Sequence, residues 1–324
     1  MRVLLWVSVL LVGLWSGYWV TGKIAVERAL AGFFQQAPDH GLIAENGGVS
    51  IAGFPNRFDL TVSDPFLSDP ASGVSWRAPF LQILSLSYRP WHVIAAFAPE
   101  QVIGTAAGNV RITNEKLQAS VVVTPDSNVT LERTTLVGTG LTATAQGLTH
   151  AASEVRFATE RDDAAGMRHH IGLTVEELRP DAALTTPLQG LPPTIGQVHL
   201  DAMIDLSAPL DRNAGETRPR LVALDLSTLR VTWGELAVTA QGKIDVIDGV
   251  PDGRLDLSVM GWRRLMPLIA ASNAVKPEVL PTIERMLETL ALQSGNSESL
   301  DLPLIFSNGT MRLGPLPLGP APRF

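Results

Sequence analysis

Any chemistry in this chain would have to run on histidine and carboxylate. The 324 residues contain no cysteine, which removes thiol nucleophiles, thiolate metal sites and disulfides. The best-placed group is His199, Asp201 and Asp205 in HLDAMID, which alternation puts on one face of a strand with Met203 between them. Imidazole and carboxylate on one face are metal-ligand types. Residues two apart on a strand diverge along a flat surface, however, and Leu200, Ala202, Ile204 and Leu206 supply the buried side, so a solvated polar wall is the plainer account. His169 and His170 are neighbours whose rings point to opposite faces of a strand, and a joint ligand role would need a turn there. No serine sits in a G-x-S-x-G setting, and no G-x-x-x-x-G-K-[ST] or G-x-G-x-x-G links a strand to a helix. Asp and Glu are scattered rather than paired for acid–base work. The sequons at Asn128 and Asn308 match by chance often enough to carry no weight. The expectation is a non-catalytic protein with no cofactor and no metal.

The element that must position everything else is at the start. Val3 to Val20, VLLWVSVLLVGLWSGYWV, is uncharged and about as long as the ~20 residues a helix needs to cross a hydrocarbon core. It is longer than the apolar run of a secretory signal, and Gly17, Tyr18 and Trp19 offer no small-x-small cleavage site. The Ala29-Leu30-Ala31 match lies beyond Lys23, Glu27 and Arg28. Residues 1–22 therefore read as an uncleaved transmembrane anchor, with a signal sequence as the competing fate. Trp15, Tyr18 and Trp19 suit an interfacial belt or plain filling of the span. Arg2 on one side and Lys23 with Arg28 on the other nearly balance, but a two-residue tail is easily left inside. The expected topology is a single pass through the inner membrane with the body in the periplasm.

Residues 23–38 extend the same helix, with Ile24, Val26, Ala29, Leu30, Phe33 and Phe34 near helical spacing. From residue 49 to 324 the period changes to two and one elongated β-rich body is expected. Phe58, Leu60 and Val62 alternate with Arg57, Asp59 and Thr61, and similar runs recur at 117–123, 129–133, 200–206, 236–246 and 255–259. Hairpin turns are expected at 125–128, 137–140, 233–235 and 249–253. The clearest hairpin places Leu229, Val231, Trp233, Leu236, Val238, Ala240, Ile244 and Val246 on one wall and Gln241, Lys243 and Asp245 on the other. The proline-rich stretch Pro180–Pro193 is expected to cross between halves of the sheet. A helical insertion at about 262–292 carries one stripe of Trp262, Leu265, Met266 and Ile269, and a second of Val279, Ile283, Met286, Leu287 and Leu290. The tail after Gly314 is expected to be extended.

Composition narrows the partners. A net charge of −7 and an isoelectric point near 5.4 argue against nucleic acid and anionic headgroups, which reward a basic face. Only 18% of residues are charged, against roughly 25% in an average soluble domain, and Leu, Val, Ala, Thr and Gly take up the difference. So many short strands cannot remain a flat open sheet; they close into a sandwich or barrel, or fold into a long antiparallel meander forming a curved sheet or two-layer half-barrel. In the last case an inward wall of Leu224, Leu226, Leu236, Val238, Ile244, Val246, Leu255, Leu257 and Val259 would line an apolar groove. Alternation alone does not separate a groove from a dry core.

The strings Ile51-Ala52-Gly53-Phe54-Pro55-Asn56-Arg57-Phe58-Asp59-Leu60, Trp76-Arg77-Ala78-Pro79 and Tyr88-Arg89-Pro90-Trp91-His92-Val93-Ile94 follow the anchor in that order. Together with the Trp233-Gly234 hairpin and the Gly309–Pro317 close, they resemble the bacterial domain-of-unknown-function family numbered twenty-one twenty-five. That family brings no activity and no functional residues. More distantly, Gly53-Phe54-Pro55 and Trp233-Gly234-Glu235-Leu236 are similar in pattern to AsmA-like envelope proteins, which are associated with lipid movement between membranes. The resemblance implies a membrane-anchored envelope protein that binds or passes a lipid or other apolar molecule. The alternative is a dry-cored scaffold that holds envelope proteins.

Overall fold

The computed structural model describes residues 2–323 apart from 187, 189, 272–276 and 294–295. A single helix, α1 (Arg2–Gln36), runs unbroken through both the apolar segment and its amphipathic extension. It passes into a turn of 3-10 helix over Ala37–His40, where Pro38 takes an early helical position and Gly41 closes the end at φ +73°.

Among the described residues, twenty strands form one antiparallel sheet. The early ones lie end to end as five bent ribbons. These are β1 (Ile43–Glu45) with β2 (Gly48–Ala52), β3 (Arg57–Ser63) with β4 (Phe66–Asp69), β5 (Val74–Arg77) with β6 (Phe80–Leu86), β7 (Arg89–Phe97) with β8 (Glu100–Thr105), and β9 (Gly108–Thr113) with β10 (Lys116–Val123). Then come β11 (Leu131–Ala145), β12 (Leu148–Arg161), β13 (Arg168–Leu178), β14 (Ile195–Leu206) and β15 (Leu221–Trp233). The last are β16 (Leu236–Ile247), β17 (Val250–Met260), β18 (Ser299–Ser307), β19 (Thr310–Leu313) and β20 (Leu316–Pro320). Every pairing joins successive passes of the chain, and no pairing among the described residues joins the first strands to the last. The sheet is a pure meander and is not closed.

A crease crosses the first five ribbons. Pro65, Pro79 and Pro99 have no N–H to give to a ladder and stand where β3 gives way to β4, β5 to β6 and β7 to β8. The chain bends there and is re-tied by Asp64 N to Pro79 O (2.9 Å), Ala78 N to Pro65 O (3.3 Å) and Asn114 N to Pro99 O (2.9 Å). The crease ends at Gly140 (φ +57°) inside β11, which pairs with β10 up to Thr139 and with β9 from Thr142 onward. Residues 137–140 are therefore not the hairpin turn expected from their glycines but the middle of a strand that changes partner.

Other expectations are corrected in the same way. Pro180–Pro193 does not cross between halves: β13 and β14 are direct neighbours, paired at Leu178 and Ile195. The loop instead carries the short helix Ala182–Thr185 and brings Leu188 against the C-terminal helices. The strand expected from Val129 begins at Leu131, since Val129 has φ +52°. The turn expected over 249–253 is tighter, at Asp248-Gly249, with β17 already running from Val250. The tail is a paired strand, β20.

Two glycines show how closely the late strands approach. A Cβ on Gly242 would lie 2.3 Å from the Arg254 carbonyl oxygen, and one on Gly253 would lie 2.3 Å from that of Lys243. Both obstacles are backbone, and both glycines have positive φ, +140° and +150°. Gly242→Ala and Gly253→Ala are each expected to lower unfolding stability by about 2–3 kcal/mol, read from the midpoint of urea unfolding in detergent.

Candidate functional site

The register gives the sheet two unlike faces. Following direct partners from strand to strand, one row reads Ile51, Leu60, Ile83, Ala95, Ala119, Leu136, Phe157, Leu173, Leu200, Leu229, Ala240, Leu257, Leu302. Every member is apolar. The row one residue away, on the opposite face, reads Ser50, Thr61, Gln82, Ala96, Gln118, Val137, Arg156, Thr174, His199, Arg230, Thr239, Ser258, Asp301. A side-chain period of two, kept in register across the meander, converts local alternation into one continuous apolar wall and one wet wall. Past the crease a second apolar row continues through Ala44, Leu67, Trp76, Ile103, Val110, Ala145 and Leu148. Trp76 stands edge-on to Phe97 with ring centroids 6.3 Å apart, so the lining is continuous over the bend.

Among the described residues, helices cover only the two ends of this wall. At the first end, Trp19, Val26, Leu30 and Phe34 of α1 pack on Ile51, Phe58, Leu60, Val62 and Ile83. At the other, α2 (Leu265–Ala271) and α3 (Leu280–Gln293) pack on Trp233, Leu236, Val259, Leu300 and Leu302. The centre of that cap is Trp262, fully buried, whose indole N–H donates to the Ser297 carbonyl at 3.0 Å. Between the caps, Ala95, Ala119, Leu136, Phe157 and Leu173 are half-buried and belong to no packed cluster among the described residues. Among the described residues no second sheet lies over them.

The nine wall residues expected from sequence all fall on the apolar face, toward its later end, and they divide by what covers them. Leu236, Val238 and Val259 lie under the helical cap. Ile244 and Val246 are closed over with Phe306, Met311 and Ala321. Leu224, Leu226, Leu255 and Leu257 cluster around Ala202 and Ala240. The uncovered stretch is the one between β7 and β13. Sequence reasoning passed over it because its strands are rich in Ala and Thr and look no more apolar than their neighbours.

Apart from His169, the candidate titratable residues singled out from sequence stay on the wet wall, and they do not converge. His170 Nε2 lies 3.0 Å from Asp201 Oδ2, both exposed; His199 Nδ1 is 3.2 Å from Thr174 Oγ1; Asp205 meets Arg168 at 3.6 Å. His169, on the opposite face as its neighbour relationship requires, is fully buried, and its Nε2–H donates to the Gly166 carbonyl at 3.3 Å. A depression of about 480 Å³ beside the bulge at Ser227-Thr228 holds Arg230, Arg254, Asp256 and Asp301, but Arg254 is spent on Asp256 at 2.6 Å. Among the described residues no three His, Asp or Glu side chains group as metal ligands.

One loop near His169 has a defined pH response. Asp163 Oδ1 accepts from the amides of Gly166 (2.8 Å), Met167 (3.0 Å) and Arg168 (3.1 Å). Desolvation pushes the carboxyl up, but these amides, with His169 nearby, outweigh it and hold it below the ordinary carboxylate value. A depressed carboxylate stabilises above its unfolded pKa of about 3.9 and loses that contribution as pH falls through the folded value. The loop is therefore expected to resist protease from pH 8 down to pH 5. Asp163→Ala should be cut there throughout that range.

The chain belongs to the bacterial family described as "Uncharacterized protein conserved in bacteria (DUF2125)", whose profile matches residues 19–322. No curated protein matches it.

Proposed function

We propose that this member of an uncharacterised bacterial family is a membrane-anchored, non-catalytic envelope protein whose open apolar sheet face holds the acyl chains of a lipid. In this reading α1 spans the inner membrane and the sheet stands in the periplasm. The helix is long and apolar enough to cross a bilayer.

The observation that carries the reading is the unbroken apolar row with helices over its ends and nothing over its middle. Contiguous apolar surface beyond a few hundred Å² marks an interaction site on a soluble body. From Ala95 to Leu173 the open row crosses five strands, about 19 Å at ~4.8 Å between neighbours, which accommodates the length of an extended acyl chain. Its side chains are aliphatic or phenyl and offer no hydrogen bonds, which suits a ligand part that needs none.

Native mass spectrometry of the protein extracted in mild detergent should show phospholipid adducts that survive detergent exchange. A lipid-free protein that instead co-purifies with an envelope protein over this face would favour the scaffold reading. A reporter fused after Phe324 that is active only in the cytoplasm would overturn the topology.

A further inference from the structure

The first two hairpin turns at the α1 end of the strands, Gly53–Asn56 and Ser87–Tyr88, carry a set of contacts that the lipid-holding reading leaves unused. The uncharged part of α1 lies between Arg2 and Lys23 and measures about 30 Å at 1.5 Å per residue, a full hydrocarbon core. Yet the body grips the helix well inside that segment. Trp15 Nε1–H donates to the Pro55 carbonyl at 3.0 Å, Tyr18 O–H to the Ser87 carbonyl at 2.5 Å, and Trp19 Nε1–H to the Arg57 carbonyl at 2.8 Å. Gly22 lies so close to Phe58 that a Cβ there would sit 2.6 Å from its ring. Only Val3–Leu14 lies beyond these hydrogen bonds, about 18 Å of helix, which is some 12 Å short of the core thickness.

We propose that the turns Gly53–Asn56 and Ser87–Tyr88 are themselves embedded in the leaflet facing the sheet, with Phe54 and Tyr88 among the acyl chains and Arg57 and Arg89 at the phosphates. The inference rests on α1 being a membrane span. Phe54 and Tyr88 stand 55% and 54% exposed at the two turns beside the helix, and aromatic side chains are enriched where a protein meets the membrane interface. A cleft of about 420 Å³ between Leu11, Val12, Trp15 and the Phe54-Pro55 turn has almost wholly apolar walls and fits one acyl chain. Arg57 and Arg89 flank Leu86 as direct strand partners on the outer face, one step from the turns; Arg57 is also held by Asp59 at 3.0 Å. Long cationic side chains at that level reach headgroup phosphate while their stems stay in apolar surroundings. The later turns at the same end of the strands carry Asp126, Asp162, Asp163 and Asp248 and no aromatic residue, so the embedding is confined to the first two turns.

The absence of cysteine makes the test clean. Leu10→Cys, Phe54→Cys, Tyr88→Cys and Asp248→Cys would each be nitroxide-labelled in the full chain. The proteins would be reconstituted into phosphatidylcholine–phosphatidylglycerol vesicles and read by oxygen against nickel-chelate accessibility. Asn56→Cys gives a second reading of the first turn if the Phe54 variant loses its strand circular dichroism. Positions 10, 54 and 88 are expected to report hydrocarbon and position 248 water. A water-exposed label at 54 or 88 with position 10 in hydrocarbon overturns the embedding and leaves the span intact. A water-exposed label at position 10 overturns the span itself, and the embedding with it.

Discussion

Replacing Phe157 and Leu173 together by glutamate should strip bound lipid from the protein without unfolding it. The two are direct partners in the middle of the open apolar row, and both are half-buried with no helix or second sheet over them. A carboxylate placed there can reach water when the face is empty, so the folding penalty is small. Set against an acyl chain, each charge costs about 3 kcal/mol on membrane-insertion scales, and two should reduce lipid occupancy at least a hundredfold. The control is Arg156→Glu with Thr174→Glu, partners one residue away on the wet wall, which should leave occupancy unchanged. The measurement is the fraction of protein carrying lipid adducts, with circular dichroism as the check on folding. Lipid retained at wild-type levels would refute the open-face reading. Global unfolding of the apolar-face variant alone would mean that the face is a packed core, where an unpaired charge is far more costly.

The second large effect concerns the cap at the other end of the wall. Trp262→Ala should release the helical segment from the sheet. Its ring is fully buried in a cluster with Trp233, Leu236, Val259 and Leu287, it donates to Ser297, and Arg263 lies over its face at 4.7 Å. Truncating a buried tryptophan costs about 3–5 kcal/mol. The cap is also tied by ion pairs from Arg263 to Glu288 (3.1 Å) and Glu298 (3.2 Å) and from Arg264 to Glu235 (2.7 Å), surface pairs worth about 1 kcal/mol or less each, and by Ile283, Met286 and Leu290, whose packing on this cluster centres on the Trp262 ring. The loss therefore matches or exceeds what the ion pairs supply together. Hydrogen exchange over residues 262–293 should rise by two orders of magnitude or more while the strands β7 to β14 keep their protection, because the meander ties each strand only to its neighbours. Unchanged exchange in the cap would show that it is held by something other than this cluster. Collapse of the whole sheet would show that the strands are not independent of it.

Local pattern was enough to read much of this protein. The uncharged run made α1, and the stripe behind it continued the same helix to Gln36. Alternation from Leu229 to Val246 placed Leu229, Val231, Leu236, Val238 and Ile244 on one wall, and the register agrees, since partners across a hairpin share a face. The two apolar stripes between 262 and 292 became the capping helices. The opposite faces of His169 and His170, and the divergence of His199, Asp201 and Asp205, follow from the strand period alone.

What residue order could not convey is non-local. The glycines at 138 and 140 look like a turn, but the strand runs through them because Gly140 sits opposite the joint of the β9–β10 ribbon, where β11 exchanges one partner for the other. Pro65, Pro79 and Pro99 read singly as strand ends; only side by side do they become a crease. Above all, an inward leucine has the same neighbours in sequence whether it meets another sheet, a helix or nothing. Sequence determined which side of each strand is apolar, because that is set by spacing along one segment. The tertiary structure decided which of those sides is covered, because covering requires a distant segment to arrive. Here α1 and the late helices reach only the two ends of the wall.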